Sequence, residues 1–449
     1  VDAIGSSLTG KALMDKLKAH FDPWWPHSEL SDDELTKLRA ILYPEITSVQ
    51  KEKGGKTRDV ILDEYQEQVA KKIGSGHRIV RGVAGSGKSL VLCAKARLIL
   101  SEHPAWKVLF TCYNISLASQ LRYYLKSFAG LPEDDLKTEA SRIDQQIDVV
   151  HFHGLCKRVF EATETWWPRI DVQQVLHTAG FASLSDCEKE AKLDEMESAL
   201  LGQELQRVAS TCKIDHYDAI LVDESQDFHP SWLKALLLLL NGETNFLLLA
   251  EDPNQKIYPR TFSYKDAGID VVGGGRVFYL PIGYRSTREI ILTASRLVIQ
   301  SNWDDFYKKY VEEETDPAVR PLHKSTGQFP QIVIKSHYED VCEHIVADVQ
   351  RKLADGYQYS DIGIIYLTRS RKNALPESQL QLFNDEQDID YIGSLRARLA
   401  AARIPNYWLT QNKETKQTYN QFKDQVTIST LFSAKGLEFD VVYLVGLEL

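Results

Sequence analysis

The string Gly82-Val83-Ala84-Gly85-Ser86-Gly87-Lys88-Ser89 satisfies G-x-x-x-x-G-K-[ST] at every fixed position. A short apolar run, Arg78-Ile79-Val80, precedes it, and Ser89–Leu100 reads as a helix. The loop therefore joins a strand to a helix, the setting in which this pattern has physical meaning. Its glycines let the backbone curl until N–H groups face a polyphosphate, and the helix N-terminus adds a favourable dipole. Lys88 supplies positive charge to β- and γ-phosphates, and the Ser89 hydroxyl can ligate Mg²⁺. A chain built around this string is expected to hold a parallel sheet buried on both faces.

Apolar runs at Val108-Leu109-Phe110, Val149-Val150, Ala219–Val222 and Phe246–Leu249 supply the other strands of such a sheet. Immediately after Val222 comes Asp223-Glu224-Ser225-Gln226-Asp227. A carboxylate at a strand's C-terminal end sits where ligands bind in open α/β sheets. Asp223 is placed to hold Mg²⁺, and Glu224 is the natural general base for an attacking water. Between His153 and Asp215 the sequence is charge-rich and helical in character, an expected insertion. After Gly273-Gly274-Gly275 a second α/β region is expected, with strands at Val277–Leu280, Ile332–Ile334, Ile362–Tyr366 and Val441–Val445. Upstream, Ser31-Asp32-Asp33-Glu34 opens an amphipathic helix, Trp24-Trp25-Pro26 reads as a packed anchor, and Lys51–Lys56 reads as a loop.

These motifs, with several others, resemble the UvrD/Rep/PcrA-type superfamily 1 DNA helicases. Asp223–Asp227 has the family's D-E-x-Q-D form, and Ile61-Leu62-Asp63-Glu64-Tyr65-Gln66 is similar to its Q motif. His151-Phe152-His153-Gly154-Leu155 resembles T-F-H-G/S-L, and Glu251–Tyr258 resembles G-D-x-x-Q-S-I-Y. Leu280–Ser286 resembles L-x-x-N-Y-R-S, and Thr430–Phe439 resembles T-x-H-S-A-K-G-L-E-F. The motifs run in family order from Leu62 to Phe439.

The resemblance implies two RecA-like P-loop domains: residues 61–272, with a helical insertion at about 155–213, and residues 273–449, with only small insertions. Residues 1–60 would form a helical or linker region. It implies ATP and Mg²⁺ as cofactors. Gln66 would read adenine and Tyr284 stack on it, while Gly82, Gly85, Ser86, Gly87, Lys88, Ser89, Gly436 and Glu438 complete the nucleotide site. Gln255 and Arg285 would reach the γ-phosphate, joining Lys88 and Glu224 in catalysis, with Ser89 and Asp223 on the metal. Asn114, Phe152, His153, Thr430 and Ser433 are candidate strand contacts. The implied activity is 3′→5′ movement along single-stranded or partly duplex DNA, in repair, recombination or anti-phage defence. The alternative is an ATP-dependent switch that gates a partner or fused nuclease with little unwinding.

The pattern departs in places. Leu90 replaces an arginine, Thr111–Ile115 keeps only Asn114, and Pro259-Arg260 replaces a base-stacking tryptophan for which Phe262 or Tyr264 could substitute. The gap between Arg285 and Thr430 is too short for the large helical insertion of the housekeeping members, and Tyr258-Pro259-Arg260 with Gly268 and Gly275-Arg276 resembles compact helicases fused to a nuclease-related domain, although residues 1–60 carry no metal-carboxylate set. A further arginine motif is expected after Phe439 but does not occur before Leu449, so the sequence is expected to be incomplete at that end.

Composition narrows the rest. A formal charge of −10 excludes coating of nucleic acid by bulk charge but permits a local basic groove. The longest apolar run, Leu236–Leu240, is far below the ~20 residues of a membrane span. Six cysteines with no C-x-x-C pair argue against zinc ribbons and fit a reducing cytoplasm.

Overall fold

The computed structural model describes residues 48–53, 56–83, 85–126, 133–176, 179–182, 184, 186–252, 264–271, 275–280, 283–284, 286–287, 289–290, 293–294, 327–366, 391–419 and 423–446. The helix expected from Ser31 and the Trp24-Trp25-Pro26 anchor lie outside them.

The first described elements are β1 (Ser48–Lys53) and β2 (Lys56–Ile61), an antiparallel pair in which Lys53 faces Lys56. Lys51–Lys53 and Lys56 are thus in strands, where the sequence suggested a loop. A Gly-Gly pair between two short runs is a hairpin signal, and the lysine content masked it. The chain continues through α1 (Glu64–Lys72), β3 (His77–Gly82), α2 (Lys88–Glu102), β4 (Val108–Cys112), α3 (Ile115–Lys126) and α4 (Glu133–Gln146). Then come β5 (Ile147–His151), α5 (Phe152–Ala162), α6 (Asp186–Thr211), β6 (Ala219–Val222), α7 (Pro230–Leu239), β7 (Phe246–Glu251) and β8 (Val277–Leu280).

Strands β3 to β8 form one parallel sheet in the order β5-β4-β6-β7-β3-β8. Every residue of β4, β6 and β7 is buried, because helices cover both faces. That is why these strands read as unbroken apolar runs rather than alternating ones. Each fully buried Val, Leu or Ile contributes about 1.5–3 kcal/mol. On one face α1, α2 and α3 pack over Val80, Phe110 and Leu248; on the other, α5, α6 and α7 pack over Leu109, Ile220 and Leu249. Helix α6, in the expected insertion, is fastened to α7: the Trp232 indole donates to the Ser198 carbonyl at 2.7 Å. The two helices approach so closely that a Cβ on Gly202 would lie 2.1 Å from Ser231 Oγ.

A second parallel sheet follows, built from α8 (Tyr338–Ala354), β9 (Ile362–Tyr366), α9 (Tyr391–Ala401), β10 (Asn406–Trp408), β11 (Val426–Thr430), α10 (Leu431–Ala434) and β12 (Val441–Val445). Its order is β10-β11-β9-β12. Two expectations fail here. Val277–Leu280 does not open this sheet; it pairs with β3 and extends the first one. Ile332–Ile334 forms no strand and is exposed, since an apolar run becomes a strand only where a neighbour accepts its hydrogen bonds. Within the sheet, Gly363 is required by close packing: a Cβ there would sit 2.6 Å from the Phe439 ring.

The overall class is α/β with two parallel sheets. Five described cysteines are free, and among the described residues no helix is long and apolar enough to cross a membrane.

Candidate active site

The loops that leave the C-terminal ends of β3, β6 and β7 converge at one edge of the first sheet. After β3, Gly85 and Gly87 take φ of 70° and 81°, a left-handed conformation that glycine adopts without strain. The loop is closely walled: a Cβ on Gly82 would meet Ser86 Oγ at 2.3 Å, and one on Gly87 would meet the Gln66 amide at 2.5 Å. Lys88 Nζ lies over the loop, donating to the carbonyls of Gly82 at 3.0 Å and Val83 at 3.1 Å, with Asp252 at 3.8 Å. Among the described residues the buried Ser86 hydroxyl has no hydrogen-bond partner.

Gln66 ties α1 to this loop. Its backbone N–H donates to the Asp63 carboxylate at 2.7 Å, and its side-chain oxygen accepts from the Asp63 N–H at 2.9 Å, a complete capping box. The remaining amide donates to the Ser86 carbonyl at 2.9 Å. Tyr284 closes the same corner, its N–H donating to the Gly85 carbonyl at 2.9 Å and its hydroxyl to Asp63.

After β6, Asp223 is fully buried, and its carboxylate accepts from Ser89 Oγ at 2.6 Å and from the Glu224 N–H at 3.0 Å. Burial and the neighbouring Glu224 push its carboxyl up to about 6. Glu224 has φ 54°, a left-handed position that is strained for a non-glycine residue and is characteristic of functional turns. Burial would raise its carboxyl too, but Lys435 and Lys88 outweigh that and hold it below the ordinary range. Gln226 braces the turn, donating to Glu224 and accepting from the Asp252 N–H at 3.2 Å.

The second sheet meets this edge through the turn after β11. Thr430 caps α10, accepting from the Ser433 N–H at 3.3 Å. Lys435 Nζ then reaches Asp227 Oδ2 at 2.5 Å and Glu224 Oε2 at 3.3 Å, with 9% of its side chain exposed. Burial alone would lower this ammonium, but Glu224 and Asp227 raise it, so it stays charged. The same turn touches α3 and the residue before it. The Asn114 amide donates to the Lys435 carbonyl at 3.5 Å, and Ser116 Oγ donates to the Ser433 carbonyl at 3.4 Å. Gly436, with φ 89°, packs so that a Cβ would lie 3.1 Å from Leu117. Glu438 is half-buried.

Most of the expected site residues are therefore neighbours, with three exceptions. Phe152 is corrected: it is fully buried, stacked on Trp232 at 4.3 Å between ring centroids, and cannot meet a strand. Gln255 and Arg285 lie outside the described residues. Tyr264, a substitute base-stacker by sequence, instead directs its hydroxyl to Glu251 and to Ser225 at 3.1 Å, while Arg81 pairs with Glu251. Sequence reasoning missed Lys435 and Asp227 as partners. Both lie inside recognised strings, but only the folded chain shows that the two strings touch.

Chemically, the arrangement can seat a polyphosphate on the Gly82–Ser89 loop. Closely walled glycines, a lysine over the mouth and a buried unpartnered hydroxyl all fit that group. Ser89 and Asp223 are a hard-oxygen pair suited to Mg²⁺.

The fold and this edge define a P-loop α/β protein. The UvrD-like helicase C-terminal domain family matches residues 390–449, which include the Thr430–Phe439 turn. Residues of this chain are 28% identical over 161 positions to the candidate ATP-dependent DNA helicase YjcD of Bacillus subtilis, covering 35% of this chain and 20% of that one. They are 28% identical over 192 positions to a candidate DNA helicase II homologue of Mycoplasma capricolum, covering 40% and 24%. The matched part is thus about a fifth to a quarter of those relatives' length. The crystal structure of bacteriophage T4 UvsW aligns with 94% of this chain and 67% of that one at 10% identity, but its TM-score of 0.28 is too low to bear on fold or function. With the motifs in family order, these matches make parts of the chain similar to UvrD-like helicases.

Proposed function

We propose that the chain is the ATP-hydrolysing part of a 3′→5′ DNA helicase or single-stranded DNA translocase, with the two sheets as RecA-like halves. The observation that carries this reading is Lys435. One ammonium from the second sheet's turn pairs with both Glu224 and Asp227 of the first, and the same turn carries Thr430 and Ser433, candidate strand contacts. A strand that moved this turn would change the charge facing the general base.

In this reading the Gly82–Ser89 backbone and Lys88 hold the β- and γ-phosphates. Ser89 and Asp223 hold Mg²⁺, which when bound offsets phosphate charge. Glu224 accepts a proton from the attacking water, and its depressed carboxyl keeps it ionised and ready at neutral pH. Gln66 and Tyr284 border the base, and Gln255 and Arg285 reach the γ-phosphate. Asn114, His153, Thr430 and Ser433 follow the strand.

The test is ATP hydrolysis with and without oligo-dT, beside displacement of duplexes carrying a 3′ or a 5′ single-stranded tail. DNA-stimulated hydrolysis with displacement of the 3′-tailed duplex alone is expected. Hydrolysis indifferent to DNA would overturn the reading. Stimulated hydrolysis with displacement of neither duplex would reduce it to a translocase or a switch.

A further inference from the structure

Beyond the strand contacts above, two tryptophans form a ring surface at the same edge of the first sheet. Helix α5 begins there, directly after β5, and runs away from it. Past Ala162 the chain reverses: Glu164 takes a left-handed φ of 52°, and the Thr165 N–H donates to the Phe160 carbonyl at 2.8 Å. The returning segment, Trp166-Trp167-Pro168-Arg169, runs back along α5. Trp167 meets Phe160 edge-on at 5.7 Å and lies nearly parallel to His153 at 6.5 Å, with 21° between the planes. Phe160 and His153 are two turns apart on one face of α5, so Trp167 is fixed at both ends of that face. His153 in turn sits edge-on to Tyr113 at 6.0 Å and to buried Trp232 at 5.2 Å.

The rings thus run from the core outward and end at the surface. Trp167 is 41% exposed and Trp166 is 91% exposed. Pro168 follows Trp167, and Arg169 beside them is exposed. A rigid indole kept in water is a costly arrangement for a residue type usually well buried. Its flat face, an adjacent cation, and position next to His153 and Tyr113-Asn114 suit one class of ligand. Every nucleic-acid base has a π-face, whereas an unpaired backbone alone would call only for the arginine.

We propose that Trp166 and Trp167 form a stacking platform for unpaired DNA bases, extending the strand path from Asn114 and His153 along α5. The inference rests on the DNA reading above.

The probe is a 15-nucleotide oligo-dT against an abasic oligomer of equal length and charge. The wild-type protein should prefer oligo-dT. W166A/W167A should bind oligo-dT about 5- to 150-fold more weakly per stacked base lost, with the abasic oligomer little affected. W166F/W167F keeps a π-face at both positions and should retain most of the preference. Independently, oligo-dT should quench tryptophan emission in wild-type protein, and that quench should shrink in W166F/W167F, which also decides the matter if the alanine variant does not fold. An oligo-dT preference unchanged in W166A/W167A, or a quench unchanged in W166F/W167F, would overturn the platform. Failure of the wild-type protein to bind oligo-dT at all would instead overturn the DNA reading.

Discussion

The C-terminal edges of the two sheets are built on opposite plans. At the six-stranded edge nearly every functional group is held by a partner from its own sheet. Ser89 donates to Asp223, Gln226 to Glu224, Gln66 to the Ser86 carbonyl, and Lys88 to the loop carbonyls. At the four-stranded edge, β11 delivers a capped turn whose one charged tip, Lys435, finds its partners on the other sheet, and whose Leu431 and Phe432 are 48% and 55% exposed. The first edge is preassembled by its own hydrogen bonds; the second brings one cation to it. Damage to the first should therefore stop chemistry, and damage to the second should disturb how the halves are held together.

The largest effect that would sharpen this contrast is on Glu224, the proposed base. Glu224→Gln keeps the shape of the turn but cannot take a proton, so turnover should fall by ~10²–10⁴-fold while nucleotide still binds. Pre-steady-state hydrolysis beside nucleotide titration checks both halves of that statement. Loss of nucleotide binding along with turnover would make Glu224 a metal ligand instead.

Lys435→Met addresses the second edge. It removes the ammonium that bridges two buried carboxylates, and breaking a buried pair by removing one partner costs about 3–5 kcal/mol. Urea denaturation should show that loss, and Asp227→Asn in the same chain should recover part of it in a double-mutant cycle. If the two substitutions simply added, the bridge would not be what holds the turn against the first sheet.

Asp223 gives a pH signature specific to the first edge. Its folded-state carboxyl is raised to about 6, so the protonated form is the one folding favours. The stabilisation from that proton is full below the unfolded value near 4 and is gone above about 6. Asp223→Asn should therefore stabilise the fold at pH 7.5, by on the order of 2–3 kcal/mol, and progressively less as the pH falls from 6 to 4. Thermal melts across that range measure it. A gain independent of pH would show that the effect is not electrostatic. Glu224 has the opposite sign: its depressed carboxyl stabilises above the unfolded value and is lost as acid protonates it.

The smallest effect is expected at Gly436. An alanine there must hold φ 89° and meet Leu117, at about 1–2 kcal/mol. The loss should be confined to the contact between the turn and α3, and hydrogen exchange at Ser433–Leu437 reads it directly.

The same contrast explains what could be seen in the sequence. The Gly82–Ser89 loop and the Asp223–Asp227 turn were legible because their chemistry needs consecutive residues, and the strands feeding them were legible because burial on both faces leaves only apolar side chains. The four-stranded sheet was harder. Strand β11, Val-Thr-Ile-Ser-Thr, buries Thr427 and Ser429, with the Thr427 hydroxyl 3.0 Å from the Tyr419 hydroxyl. Once satisfied, such a face looks polar in sequence and apolar in burial. The three residues of β10 are too few to show a period. Val277–Leu280 looked like any short strand, since nothing local says whether its partner is β3 or β9. For Phe152, the same ring could stack on a base or on Trp232, and only the arrival of α7 decides between them.

The Gln66 side chain makes the first turn of α1 and the mouth of the loop a single mechanical unit. The group that accepts from the Asp63 N–H also donates to the Ser86 carbonyl, 20 residues further along the chain. Any widening of the loop that pulls on Ser86 must loosen the helix cap, worth about 1 kcal/mol. Fraying of α1 must likewise release the loop. The amide protons of Asp63 and Gln66 are consequently a gauge of loop rigidity placed outside the loop. Whatever stiffens Gly82–Ser89 should slow their exchange with solvent, and whatever opens it should speed that exchange before any strand of the sheet is disturbed.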